Sequence, residues 1–132
     1  MSRKKSVDIG TICWVDLTTK NAEKIQNFYT KVVGWKTKKI NMGKYDDYCM
    51  NSPTNNQTVA GICHARGVNA KMPSQWMLYV NVKNLDKSVA QVKKLGGKLM
   101  TPIKTMGESR YCVIKDPSGA MMGLFESKAK DK

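Results

Sequence analysis

The sequence is poor in histidine and in acid, and each shortage excludes something. One imidazole among 132 residues leaves a metal site short of its usual donor, because catalytic zinc sites take about three protein ligands. No run approaches the ~20 apolar residues that cross a bilayer, so no membrane partner is expected. Arg3, Lys4 and Lys5 are followed by a stretch that Asp8 and Asp16 interrupt, which is not the apolar core of a secretion leader. The four cysteines, Cys13, Cys49, Cys63 and Cys112, make no C-x-x-C pair and no dense disulfide pattern. Each lies in a strand-like apolar stretch, as expected of buried free thiols in a reducing compartment, and cytoplasmic localisation follows. Ten Asp and Glu stand against 23 Lys and Arg, a net charge of +13. That excess attracts anions. The lysines are nevertheless dispersed, with small clusters only at Arg3–Lys5 and at Lys128, Lys130 and Lys132. No basic stripe interleaves with aromatics, and no nucleic-acid-binding motif is present. The dispersed charge reads first as a solvated basic surface; a small-molecule ligand is the expected partner, an anionic one being among the alternatives, and nucleic acid is not expected.

What is present suits one globular domain. Apolar residues make up 41% of the chain, enough for a core. Residues 10–17 read as a strand. A helix follows, on which Ala22, Ile25, Phe28, Tyr29, Val32 and Val33 recur at three and four. Thr19 is its expected N-cap and Gly34 its left-handed terminator. Strands are expected over 35–40, 45–50 and 58–65, the last two separated by the polar loop 51–57. After a connector at 67–75 the order returns. A strand over 76–82 precedes a helix marked by Leu85, Val89, Val92 and Leu95 and stopped at Gly96-Gly97. Strands over 98–100, 110–115 and 121–126 follow, the last two joined by the turn Asp116-Pro117-Ser118-Gly119. An offset of about 62 residues is too long for a solenoid repeat and indicates duplication of one supersecondary unit. The fold class is α+β, with the first module over 9–66, the linker at 67–75, the second module over 76–126 and charged tails at 1–8 and 127–132.

Alternation separates two faces. Val15 and Leu17 are expected beneath the first helix, with Trp14 and Asp16 on the opposite face. Leu78, Val80 and Val82 are expected beneath the second, with Met77, Tyr79 and Asn81 opposite. A mixed aromatic, methionine and polar surface suits a ligand cleft. Its alternative is a sheet interface filled by the same side chains.

The ordered set Trp14-Val15-Asp16-Leu17, Phe28-Tyr29, Val33-Gly34-Trp35, Trp76 to Val82, Asn84-Leu85-Asp86, Gly96-Gly97, Asp116-Pro117-Ser118-Gly119 and Gly123-Leu124-Phe125 resembles the vicinal oxygen chelate superfamily. That superfamily includes the glyoxalase I, bleomycin-resistance and extradiol dioxygenase families. The resemblance covers about residues 9–126. It implies two tandem βαβββ modules forming an open half-barrel cleft, and a homodimer. It also implies where metal ligands would stand: a His near the start of each module's first strand and a Glu in each last strand. Here those positions fall on Trp14, on Met77 or its neighbour Trp76, near Gly61, and on Gly123. Trp and Gly offer no ligand, and a thioether suits soft metals only. His64 would need help from Glu126, Glu108, Asp16 or a cysteine. Neither a metal nor another cofactor is therefore expected.

Three readings remain. The first is a metal-free small-molecule binding protein resembling the bleomycin-resistance branch. In it Trp14, Met77, Tyr79, Tyr111 and Phe125 provide the surface, while Asp16 and Arg110 orient polar groups. The second is an enzyme, a glyoxalase-like lyase or isomerase or a dioxygenase relative, with metal-dependent activity disfavoured. The third is a basic interaction protein with a vestigial cleft.

Overall fold

The computed structural model describes residues 8–127, so the basic clusters of both tails lie outside the described residues. The described residues divide into two compact units, 14–76 and 8–13 with 77–127.

The first unit carries β1 (Ile12–Thr19), α1 (Ala22–Val33), β2 (Lys36–Asn41), β3 (Asp46–Asn51) and β4 (Thr58–His64). Its strands lie in the order β2-β3-β4-β1, antiparallel except for the parallel β4–β1 pair. Parallel neighbours need a long crossover, which α1, β2 and β3 supply. Asn21, not Thr19, caps α1, its Oδ1 accepting from the Lys24 amide at 3.2 Å. Thr19 is still within β1, its hydroxyl 3.2 Å from that of Ser74. Gly34 ends the helix at φ 90°, a conformation that β-carbons disfavour. Ala22 of α1 packs with Leu17, Tyr48, Met50, Ala60 and Ile62 of the sheet in one core, and Val15, Ile25, Tyr29, Trp35 and Trp76 pack against it. The buried stripe of α1 is narrower than its sequence. Ala22, Ile25 and Tyr29 reach the sheet, whereas Phe28 is 52% exposed, and Val32 and Val33 in the last turn are exposed too.

The second unit carries β5 (Trp76–Asn81), α2 (Leu85–Lys94), β6 (Lys98–Leu99), β7 (Lys104–Met106), β8 (Ser109–Lys115) and β9 (Met121–Glu126). The order is β5-β9-β8-β6, with β7 also on β8 and the β5–β9 pair parallel. Asn84 caps α2 through the Lys87 amide at 3.0 Å, and Glu126 accepts from the Leu85 amide at 2.8 Å. A carboxylate there also complements the positive end of the helix. Leu85, Val89, Cys112, Ile114 and Leu124 form the core, joined by Val80 and Val82. Leu78 departs from the expected helix-facing set and is exposed. The turn before β9 is built on Asp116, whose Oδ1 accepts from the amides of Ser118 and Ala120.

The registers fix the repeat. Asp16 lies opposite Gly61 in the first unit and Tyr79 opposite Gly123 in the second. Asp16 and Tyr79 are thus equivalent, and Trp14 corresponds to Met77 rather than to Trp76.

Candidate functional site

In the first unit the face away from α1 is laid out by strand pairing. Asp16 pairs with Gly61, Gly61 with Cys49, and Cys49 with Lys38, so these four form one row across four strands. The Trp14 indole donates from Nε1 to Asp16 Oδ2 at 3.1 Å. The same ring reaches over Gly61. A β-carbon added there would stand 3.1 Å from Trp14 Cζ2 and 3.4 Å from Asp16 Cβ. Glycine provides the room in which the ring lies. Trp14 and Asp16 are both half-buried, which leaves an aromatic surface beside a carboxylate already oriented by a neighbour.

The next row holds Thr18 opposite Cys63 and Ile40 opposite Asp47. Burial, followed by the nearby Asp16 and Asp47 carboxylates, pushes the Cys63 thiol well above its usual range. Cys63 is a neutral thiol and a poor nucleophile. Asp47 also accepts from the His64 amide at 2.9 Å and lies 3.5 Å from His64 Nδ1. The imidazole packs edge-on to Tyr45, with ring centres 5.2 Å apart, and the Arg66 guanidinium stands 4.2 Å over the same tyrosine. The one histidine belongs to a carboxylate and aromatic cluster.

In the second unit the corresponding face carries Tyr79, Gly123, Tyr111 and Phe125. Phe125 pairs with Tyr111, and Tyr111 with Lys104. Tyr79 and Tyr111 meet edge to face at 6.2 Å, and the Lys104 ammonium lies 5.6 Å over the Tyr111 ring. Met77 and Tyr79 are buried at 3% and 7% exposure, so they present little surface to a ligand; Tyr111 and Phe125 are half-buried.

Arg110 does not join them. Adjacent strand residues point to opposite faces, and Arg110 lies on the α2 side. Its Nε donates to Glu126 Oε1 at 2.9 Å, and its Nη2 to Glu126 Oε2 at 3.2 Å and Asp86 Oδ2 at 2.9 Å. The hydrogen bonds to Glu126 and then Asp86 raise its already high pKa further. The guanidinium that the sequence assigned to ligand orientation ties β8 to β9 and to the start of α2.

The positions that a metal-using relative would supply with ligands do not fit a divalent ion here. Gly61 lies beneath the Trp14 ring. At Gly123 an added β-carbon would fall within the Tyr79 ring, 2.6 Å from Cγ and closer to Cδ2 and Cε2. Among the described residues no three His, Cys, Asp or Glu side chains group as a metal site. Elsewhere, a groove of about 420 Å³ runs along α2, lined by Gln91, Val92, Leu95, Ile114 and Pro117 among others, and contains none of the expected site residues.

The thiols provide a direct check. Burial pushes Cys112 up to about 11, and Cys63 is raised for the reasons above. At pH 8, iodoacetamide followed by peptide mass mapping should leave Cys63 and Cys112 unmodified in the folded protein and label both after unfolding. Rapid labelling of Cys63 in the native state would contradict its position between two carboxylates.

Residues 11–124 match the pattern defining the Glyoxalase/Bleomycin resistance protein/Dioxygenase superfamily. CFP32 of Mycobacterium bovis, provisionally named a glyoxylase, is 32% identical over 138 residues, covering 96% of this chain and 49% of that protein. The chain thus spans about half the length of this relative. Among solved structures, methylmalonyl-CoA epimerase from Mycobacterium tuberculosis superposes with a TM-score of 0.58 at 17% identity, covering 92% of this chain and 91% of its own. A superfamily member from Vibrio splendidus 12B01 gives 0.58 at 10% identity, covering 89% and 100%. The fold is the glyoxalase-like α+β fold. The chain belongs to the glyoxalase/bleomycin resistance protein/dioxygenase superfamily.

Proposed function

We propose that this domain binds a planar small organic molecule, without a metal, on the first unit's face around Trp14 and Asp16. The observation that carries this reading is the indole–carboxylate pair lying over Gly61. An aromatic surface beside a fixed acceptor is the composition of a ligand site: the ring supplies contact area and the carboxylate supplies direction. Carboxylates accept from more than one donor, so a ligand amine can join Trp14 among the partners of Asp16. On the second unit's own corresponding face, Tyr111 and Phe125 are the proposed surface, beside the buried Tyr79 and Met77. Binding rather than metal chemistry is favoured because rings fill the space above both glycines. Arg110 is withdrawn from the ligand set. The proposal extends to a cytoplasmic homodimer, in which two chains supply the length that the relative carries in one.

A thermal-shift screen of planar amines and anionic aromatics, run on protein purified without a metal-binding tag, tests the reading. At least one compound should raise the melting temperature. Trp14→Ala should weaken its binding at least tenfold, and Asp16→Asn should change which compounds bind. EDTA should leave the melt unchanged. Stoichiometric metal by elemental analysis, lost together with stability under chelation, would overturn the metal-free reading. Light scattering at the peak of a sizing column should give twice the chain mass, and a monomer at all concentrations would remove the dimer.

A further inference from the structure

The face carrying Trp14 and Asp16 is charged unequally along its width, and the register gives the spacing. Asp16 begins the row that passes through Gly61 and Cys49 to Lys38. Lys36 lies two residues from Lys38 on the same face of β2, paired with Asn51. Strands are about 4.8 Å apart, so three steps separate Asp16 from Lys38 by about 14 Å at the backbone. Both lysines are exposed, whereas Cys49 and Asn51 between them and the acid are half-buried. The Trp14 ring covers Gly61 at one end of the row, and the half-buried Cys49 lies between that ring and the lysines. One end offers a π surface and a hydrogen-bond acceptor, and the other offers two ammonium groups that bind phosphate as point charges.

From this layout we infer that the ligand is an elongated anion of the nucleotide class. Its planar ring carries a donor amine for Asp16, and its phosphates extend across β4 and β3 to Lys36 and Lys38. A purine nucleoside 5′-diphosphate has this shape. The exocyclic amine of adenine would donate to Asp16, the ring would lie against Trp14, and the β-phosphate would reach the lysines. A cationic or uncharged ring would use only half of the row. The inference rests on the ligand site proposed above and adds the class of molecule and the two residues that select it.

Isothermal titration at 150 mM salt with adenosine, ADP and pyrophosphate separates the contributions. ADP should bind at least tenfold tighter than adenosine and than pyrophosphate. The double variant Lys36→Ala/Lys38→Ala should bring ADP down to the affinity of adenosine, while Trp14→Ala should weaken both nucleosides alike. Lys93→Ala/Lys94→Ala, on α2, controls for the general positive charge and should leave ADP binding within twofold. Equal affinity for ADP and adenosine, or an ADP preference untouched by loss of Lys36 and Lys38, overturns this inference. So does the absence of binding by all three while another screened compound still binds in a Trp14-dependent way, and then the ligand site itself stands. If no compound binds in a Trp14-dependent way, the site and its ligand class fall together. Oligoadenylate that binds more tightly per base than ADP and is lost as salt rises would assign the face to nucleic acid instead, and overturn it too.

Discussion

Leu85→Ala should lower the unfolding free energy by about 2–5 kcal/mol, the range for emptying a large core position that cannot collapse. Leu85 is 0% exposed and packs among Val89, Cys112, Ile114 and Leu124 at the first turn of α2. Its amide is also the one that the Glu126 carboxylate accepts from. The cavity would therefore open where the helix is tied to β9. Phe28→Ala is the informative partner. The larger ring removes more carbon, but it is 52% exposed on α1, so its loss should cost well under about 1 kcal/mol. Urea melts of the two variants provide the comparison. Equal destabilisation would mean that α1 buries a wider stripe than Ala22, Ile25 and Tyr29.

Gly123→Ala is expected to be the costliest loss of a glycine facing the candidate site, at about 1–3 kcal/mol. The new methyl would need the space held by the Tyr79 ring, and that ring is itself buried with little room to retreat. In a Tyr79→Ala background the same substitution should be close to neutral. The difference between the two measurements is the coupling, expected at about 0.5–3 kcal/mol for groups in contact. Additive costs would show that the two residues do not share one space. The equivalent change in the first unit should be milder. At Gly61 the β-carbon would meet Trp14 Cζ2 at 3.1 Å, a clash that a half-buried ring relieves by moving a few tenths of an ångström.

The units and their order were legible because their signals are local. Gly34 and Gly96 at the helix ends and the Asp116 turn each act within a few residues, and alternation correctly placed Val15 and Leu17 beneath α1 and Val80 and Val82 beneath α2. Depth of burial was not legible, because it depends on what lies across from a residue. Phe28 continues the apolar spacing of α1 yet meets no sheet, and Leu78 alternates correctly yet is exposed. Arg110 was misplaced by a neglected parity, since it could not share a face with Tyr111 in one regular strand. The three residues of β7 carry too little pattern to announce a strand. Within the candidate site, Trp14 and Asp16 were readable from alternation. The partnership of each aromatic with a glycine was not, because Gly61 and Gly123 come from strands distant in sequence and only the register brings them opposite.

β2 has a further consequence, for life in a crowded solution. Within its unit it pairs only with β3, so its other side offers a row of backbone donors and acceptors to any extended chain. Its sequence, Lys36-Thr37-Lys38-Lys39-Ile40-Asn41, places ammonium groups on both faces of that border. Two such borders approaching each other would bring like charges together before a backbone bond could form, a common defence of exposed strands against aggregation. Neutralising Lys36 and Lys38 would thus carry a colloidal penalty, visible as turbidity on standing at high protein concentration.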